Sequence, residues 1–332
     1  MNVTVIKPGL LSSLQDAGRP GHAALGVGRA GAMDLPAWQL ANALVGNTNG
    51  EAAIECTLAG PSLRFEQAAV IALTGAPIAA SVGQRPLPMW TTCHLPAGGV
   101  LHLGRMASGC RSYLAVRGGF DIPALLGSRS SDLHARIGFA QGRALRAGDV
   151  LPVGPAAPVP GSSTGKEACP LDWSLDPQPW FDFAGRPLAL LRGSHWSRLD
   201  EASQQWLFGG RFVLSRDSNR TAARLAGHTL QLREPLELIS EAALPGTLQL
   251  PPSGQPIALL AEAPVTGGYP RIGQIAAVDL PRLAQCRPGD TVCFRETNLD
   301  EALARLAARR RRLARLRGVI AERLGQARWK RT

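Results

Sequence analysis

The chain has 332 residues, 45% of them hydrophobic and 18% charged, with 36 Lys and Arg against 25 Asp and Glu for a formal charge of +11. That length suggests about two domains, and that apolar content excludes disorder as the main state. No run reaches the ~18–20 apolar residues of a membrane-crossing helix, since the most apolar stretch, Ala68 to Val82, is broken by Thr74, Gly75 and Pro77.

The N-terminus lacks the pattern of a secretory leader. Six cysteines with no CxxC pair point to reduced thiols and a cytoplasmic protein. A charge of +11 raises nucleic acid as a partner, but its distribution argues otherwise. Residues 297–332 hold eleven basic and three acidic side chains, leaving a net of only +3 on the preceding 296 residues.

Thirty-seven glycines and 26 prolines punctuate short apolar runs, the pattern of a mainly β protein. Strands are predicted at Asn2–Ile6, Ala69–Thr74, Gly99–Leu103, Arg111–Val116 and Asp149–Val153. Further on they are predicted at Leu188–Leu191, Phe212–Leu214, Glu237–Ser240, Gly246–Leu250, Ile257–Ala261 and Thr291–Arg295. Few are followed by a helix long enough for a crossover, which argues against a doubly wound parallel sheet.

Three short helices are predicted: one capped by Asp34 and running to about Val45, one capped by Ser197 and ending near Leu207, and one headed by Asp279. From Thr297, leucines at helical spacing predict an arginine-rich amphipathic helix of about 30 residues, ~45 Å long. The domains expected are 1–153, a linker at 154–170, 171–296, and the helix at 297–332. Both halves of the body contain an Asp-Leu-Pro helix start and a Gly-Asp turn feeding a strand, a weak sign of two related barrels.

Several familiar motifs fail on context. Gly26-Val-Gly-Arg-Ala-Gly31 matches GxGxxG, but no good strand precedes it and the following helix is short. Gly161-Ser-Ser-Thr-Gly-Lys166 is one residue short of a phosphate-binding P-loop. Cys93, His94, His102 and Cys110 match no common zinc spacing, so no metal site is assigned.

More informative are polar groups set in glycine turns. Gln15-Asp-Ala-Gly-Arg-Pro-Gly21 places Asp16 and Arg19 together, Asp34 ends Gly31-Ala-Met-Asp, and Asn42 follows on the first helix. Gly127-Ser-Arg-Ser-Ser-Asp132 sets Ser128 and Ser130 around Arg129, a pattern suited to carboxylate or phosphate. Thr266-Gly267-Gly268-Tyr269-Pro-Arg271 offers open amides, a phenol and a cation.

With PGLLSSLQDAGRPG, GVGRAGAMD, ANALVGN, YLAVRGG, LGSRSSD, SGQPI and TGGYPRIGQIAAVDLPRLAQCRPGD in that order, the chain resembles the biotin-dependent carboxyltransferase / allophanate hydrolase subunit 2 family, which includes KipA-like proteins and C subunits of 5-oxoprolinase. The resemblance spans about residues 3–296. It implies two β-barrel-like, cyclophilin-like domains.

The resemblance further implies a hydrolase role inside a hetero-oligomer, namely ATP-driven lactam opening of 5-oxoproline to glutamate. The partners it implies are a KipI-like B subunit together with an A subunit (the lactam-utilisation protein), and ATP with Mg²⁺ is the complex's cofactor. In that reaction Arg19, Arg129 and Arg271 are expected as anion clamps, and Asp16 and Asp34 as Mg²⁺ holders or proton relays. Gly267 and Gly268 amides are expected to steady negative charge. Gln15, Asn42, Ser128, Ser130, Gln255 and Thr266 are expected to bind substrate, and Tyr269 to act on it.

The alternatives are transfer of carboxylate from carboxybiotin to urea or a related amide, and a non-enzymatic regulator binding a KipI-like kinase inhibitor. The chain carries no biotin itself: its lysines are Lys7, Lys166 and Lys330, none flanked by methionines. With Trp329 the one aromatic interleaved in the basic tail, the tail argues against nucleic acid as a partner.

Overall fold

The computed structural model describes residues 1–332 except 48–49, 158, 160–166, 182–184 and 331–332. About half of the expected linker, including Gly161 to Lys166, therefore lies outside the described residues. The chain gathers into two compact units: Met1–Gly18, Asp34–Asp182 and Arg312–Thr332 in the first, Arg19–Met33 and Phe183–Arg311 in the second. These divisions differ from those expected, because residues 19–33 join the second unit and the C-terminal helix is shared between the two.

The first unit contains β1 (Asn2–Lys7), β2 (Leu11–Gln15), α1 (Leu35–Leu44), β3 (Ala53–Thr57), β4 (Ser62–Phe65), β5 (Ala69–Gly75), β6 (Ile78–Val82) and β7 (Arg85–Pro86). It continues with β8 (Thr92–Leu95), β9 (Val100–Met106), β10 (Arg111–Val116), β11 (Val150–Pro152), β12 (Cys169–Pro170) and the four-residue α2 (Gln178–Phe181). Two antiparallel sheets form, ordered β11-β1-β4-β9-β6-β7 and β12-β8-β5-β10-β3-β2.

The core lies between the two sheets. Val3, Val5, Leu63 and Phe65 from one meet Ile54, Cys56, Leu73, Leu114 and Val116 from the other. All six residues of β10 are buried, because alternate side chains face this core on one side and α1 on the other. Thr74 and Thr92 fasten α1 by donating their hydroxyls to the Ala37 and Leu44 carbonyls at 2.7 and 2.5 Å. Burial pushes the Cys56 and Cys93 thiols up to about 12, and none of the six cysteines is paired.

The second unit holds β13 (Leu188–Arg192), α3 (Glu201–Gly209), β14 (Phe212–Leu214), β15 (Ala222–Ala226), β16 (Glu241–Ala242), β17 (Thr247–Gln249) and β18 (Ile257–Leu259). After these come β19 (Thr266–Gly267), β20 (Arg271–Ile275), α4 (Leu280–Ala284), β21 (Thr291–Val292), β22 (Phe294–Glu296) and the part of α5 (Leu299–Gly325) up to Arg311. Eight strands form one sheet, β21-β14-β15-β18-β17-β20-β13-β22. Its two edge strands are consecutive pieces of one segment interrupted at Cys293, so the sheet returns on itself as a nearly closed barrel.

Two local expectations need correction. Glu237–Ser240 is irregular, and the short strand β16 starts only at Glu241; Ile239, 91% exposed, has no packing to make it a strand. The third helix starts at Glu201 with Asp200, not Ser197, as its cap, accepting from the Ser203 amide at 2.7 Å. Ser197 sits in a 3-10 turn ahead of it.

Helix α5 is 27 residues long and starts under an Asn298 cap, whose side chain accepts from the Glu301 amide at 2.9 Å. In the second unit Ala302 and Leu306 pack against Ala189, Ala276 and Val278. In the first, Arg312 lies over the Trp180 ring at 5.1 Å, and Trp329 bridges Leu171. Among the described residues no helix is long and apolar enough to cross a membrane.

Candidate functional site

In the first unit, β2 delivers Asp16 to the loop 127–131. Its carboxylate accepts hydrogen bonds from Ser128 Oγ at 2.6 Å, Ser130 Oγ at 2.5 Å, the Arg129 amide at 2.6 Å and the Gly18 amide at 2.8 Å. Three of these donors share Oδ1, and the Arg129 amide alone serves Oδ2. Gln15 joins the cluster by donating to the Ser131 carbonyl at 2.8 Å, while its Oε1 is buried with no partner among the described residues. Asp16 thus fixes the backbone at Arg129, and the half-buried guanidinium of Arg129 forms no hydrogen bond or ion pair with any described residue.

Asp34 caps α1, accepting from the Ala37 amide at 3.1 Å, and its own amide donates to the Tyr113 hydroxyl at 2.7 Å. That hydroxyl in turn donates to Glu55 at 2.7 Å, whose carboxylate faces Arg111 at 3.8 Å. Burial, reinforced by the Glu55 and Asp34 charges, holds the Tyr113 phenol well above its ordinary value. Asn42 is buried and donates to the Trp38 and Glu51 carbonyls at 3.3 and 3.2 Å. Asn47 donates to its side-chain oxygen at 2.8 Å.

In the second unit, the Gly26 loop follows a 3-10 turn, Ala23–Leu25, rather than a strand. This is the wrong context for a dinucleotide fingerprint. Arg19 is 1% exposed, with its amide bonded to the Arg29 carbonyl at 2.7 Å. The 19–33 segment is tied to its unit by Arg220, which pairs with buried Glu262 at 2.5 Å and donates to the Gly31 carbonyl at 2.7 Å.

The Thr266–Arg271 cluster lies beside β17 and β20. The guanidinium of Arg271 is engaged by Glu241 and donates to the Ala242 carbonyl at 3.0 Å. Its amide donates to His195 Nδ1 at 3.1 Å, and the His195 amide donates back to the Arg271 carbonyl at 3.0 Å. The accepting Nδ1 assigns the ring proton to Nε2. Burial, with the neighbouring charges of Arg271 and Arg198, lowers the His195 pKa, so the ring is a neutral imidazole at pH 7.

Gln249 is 4% exposed and its Nε2 has no partner among the described residues. A Cβ at Gly267 would meet that amide, so a larger residue there would displace the Gln249 side chain. Tyr269 is 44% exposed beside this cluster. Gln255 stands elsewhere, bound to the 227–229 turn through Gly227 and Thr229.

The sequence reading missed His195, Gln249 and Glu241. Gly193 offered a signal for the first: at the end of β13 it lets the backbone approach Arg271–Gly273 closely. Gln249 inside a short strand carried none.

Neither carboxylate expected to hold Mg²⁺ is suited to it. Asp16 is held by four protein donors, and Asp34 serves its helix. Among the described residues no group of three or more His, Cys, Asp or Glu is placed to hold a metal ion. Asp16 and Asp34 are thus both committed to protein contacts.

The chain is thus a mainly β protein of barrel-like units whose polar clusters sit in glycine turns. The chain belongs to the family described as carboxyltransferase domain, subdomain A and B, whose model matches residues 25–296. It is 39% identical over 301 residues to the C subunit of the Escherichia coli 5-oxoprolinase, covering 90% of this chain and 92% of that one. It is 33% identical to a putative urea carboxylase of Emericella nidulans, over 91% of this chain but 24% of that protein. The crystal structure of K. lactis urea amidolyase superposes with a TM-score of 0.81 at 27% identity, over 91% of this chain and 19% of that one.

Proposed function

We propose that this chain is the C subunit of a 5-oxoprolinase and supplies substrate recognition for ATP-driven opening of the lactam to glutamate. The near end-to-end match to the Escherichia coli protein carries this reading. The local chemistry agrees with it. A neutral His195 whose Nε2 bears the proton, and a buried Gln249 amide with an unused N–H, are donors suited to an amide oxygen as it gains negative charge. Tyr269 lies beside them; in the first unit, and independently of this cluster, Arg129 offers a cation to a carboxylate or phosphate.

Asp16 acts in this scheme as a positioning residue that sets Arg129, in place of the metal or proton role expected of it. The nucleotide and its Mg²⁺ are assigned to the two partner proteins, a KipI-like B subunit plus an A subunit, in a cytoplasmic hetero-oligomeric enzyme. No step on this chain is routed through them.

Reconstituting the chain with those two proteins, ATP and 5-oxoproline should yield glutamate, and omitting the chain should abolish it. Arg129→Ala should lower turnover by about tenfold or more, the scale of one lost charge-assisted contact. Full turnover in that variant would exclude Arg129 from that role. The likeness to urea carboxylase favours a second reading, transfer of carboxylate from carboxybiotin. That reading requires a separate biotinylated protein, and avidin inhibition of the reconstituted activity would select it.

A further inference from the structure

Beyond the family-matched region, the end of α5 folds onto the segment after β12 and borders a solvent-open cavity of about 560 Å³ lined by Asp172, Trp173, Arg323, Gln326 and Arg328. This lies within the ~300–1,000 Å³ range of small-molecule sites. The walls are built rather than incidental. The Asp172 amide donates to the Arg328 carbonyl at 3.0 Å, Trp329 bridges Leu171, and the Lys330 amide donates to the Pro170 carbonyl at 3.0 Å. On the other side the Trp173 carbonyl accepts from Thr91 at 2.6 Å.

The polar groups of this cavity are uncommitted. The Trp173 indole N–H is buried with no partner among the described residues. The side chains of Arg323, Arg328 and Asp172 form no hydrogen bond or ion pair with any described residue. Two cations and one anion leave a net charge of +1, and a buried indole N–H can only donate.

We propose that this cavity binds an acidic amino acid. Two guanidiniums match two carboxylates, Asp172 matches the ammonium group, and the indole N–H with Gln326 serves the remaining oxygens. The bound pair is then close to neutral, and unlike a simple anion such as phosphate the ligand brings a cationic group for Asp172.

The test uses the full chain alone, without ATP or partner proteins, so it can fail independently of the oxoprolinase reading. Calorimetric titration with glutamate should show saturable binding, and Arg323→Ala or Arg328→Ala should weaken it about tenfold. Asp172→Asn should weaken glutamate but not glutarate, which lacks the ammonium group. The indole N–H resonance lost in Trp173→Phe should move on adding glutamate to the unaltered protein. All four side chains are partly or fully exposed, and an unchanged melting temperature will confirm that the variants fold. Absence of saturable glutamate binding overturns the proposal, as do equal affinities across the variants or phosphate binding as tightly as glutamate.

Discussion

Each unit starts a helix with Asp-Leu-Pro, at Asp34 in the first and Asp279 in the second, and the two aspartates do different work. Asp34 uses its carboxylate as an ordinary cap on the Ala37 amide. Asp279 makes no side-chain cap. Its carboxylate instead accepts from the Ala189 amide at 2.9 Å and from both terminal nitrogens of Arg305 at 3.0 and 2.9 Å, with Arg282 at 3.3 Å. One local signal therefore led to two outcomes, and the difference is the C-terminal helix, which brings Arg305 to the second site. The arginine-rich segment is part of the second unit's buried electrostatics, not only a solvated appendage.

The comparison breaks most strongly at Asp279. Asp279→Ala leaves buried Arg282 with only the Pro187 and Arg186 carbonyls and the Ala189 amide without its acceptor, and should cost about 3–5 kcal/mol in urea denaturation, as for a buried ion pair stripped of one member. Arg305→Ala, on the partly exposed side of the pair, should cost about 1–2 kcal/mol.

The pH dependence follows in the same place. Burial alone would raise the Asp279 carboxyl, but the hydrogen bonds from Arg305 and Ala189 and the charges of Arg305 and Arg282 outweigh it and hold it below its ordinary value. A carboxyl lowered in the folded state stabilises above its unfolded value of ~3.9, and that stability is lost as pH falls through the folded value. Acid unfolding should therefore begin at higher pH in Arg305→Ala than in the unaltered protein. An unshifted acid transition would show that the Asp279–Arg305 contact carries none of this linkage.

Asp34→Ala should cost only about 1 kcal/mol, the usual value of a lost cap, and Asp34→Ser should recover most of it. If Asp34→Ala instead costs as much as Asp279→Ala, the two helix starts are not the contrast described.

This contrast also marks what the sequence could reveal. The Asp34 cap was legible because its carboxylate and the amide it serves are three residues apart. The Asp279 partners lie 90 residues earlier and 26 later, and no local pattern encodes that meeting. The same holds for Asp16, flagged as a site residue from its turn, whose serine donors lie 112 and 114 residues away. Strands with clear apolar runs, such as Arg111–Val116, were found to the residue. The short β19 and the irregular Glu237–Ser240 depend on what packs on them. Gln249 and His195 gain their meaning only from Gly267 and Arg271 across the sheet.

One shared feature should survive every such difference. The turns Arg146-Ala-Gly148-Asp149 and Arg287-Pro-Gly289-Asp290 repeat the same bonds. In each, the arginine amide donates to the aspartate carboxylate at 2.8 Å. In each, the glycine amide and aspartate carbonyl clasp one strand residue, Val5 in the first and Leu214 in the second, at 2.8 to 2.9 Å. Gly148 and Gly289 have φ of 89° and 93° with open space where a Cβ would stand. Alanine at either position meets backbone strain but no clash, so each substitution should cost about 1 kcal/mol and the two costs should agree within ~0.5 kcal/mol. Amide exchange at Val5 and Leu214 should quicken to a similar degree in the respective variants. A large inequality would mean that the matching turns are a coincidence of sequence, not a repeated device that closes both barrels.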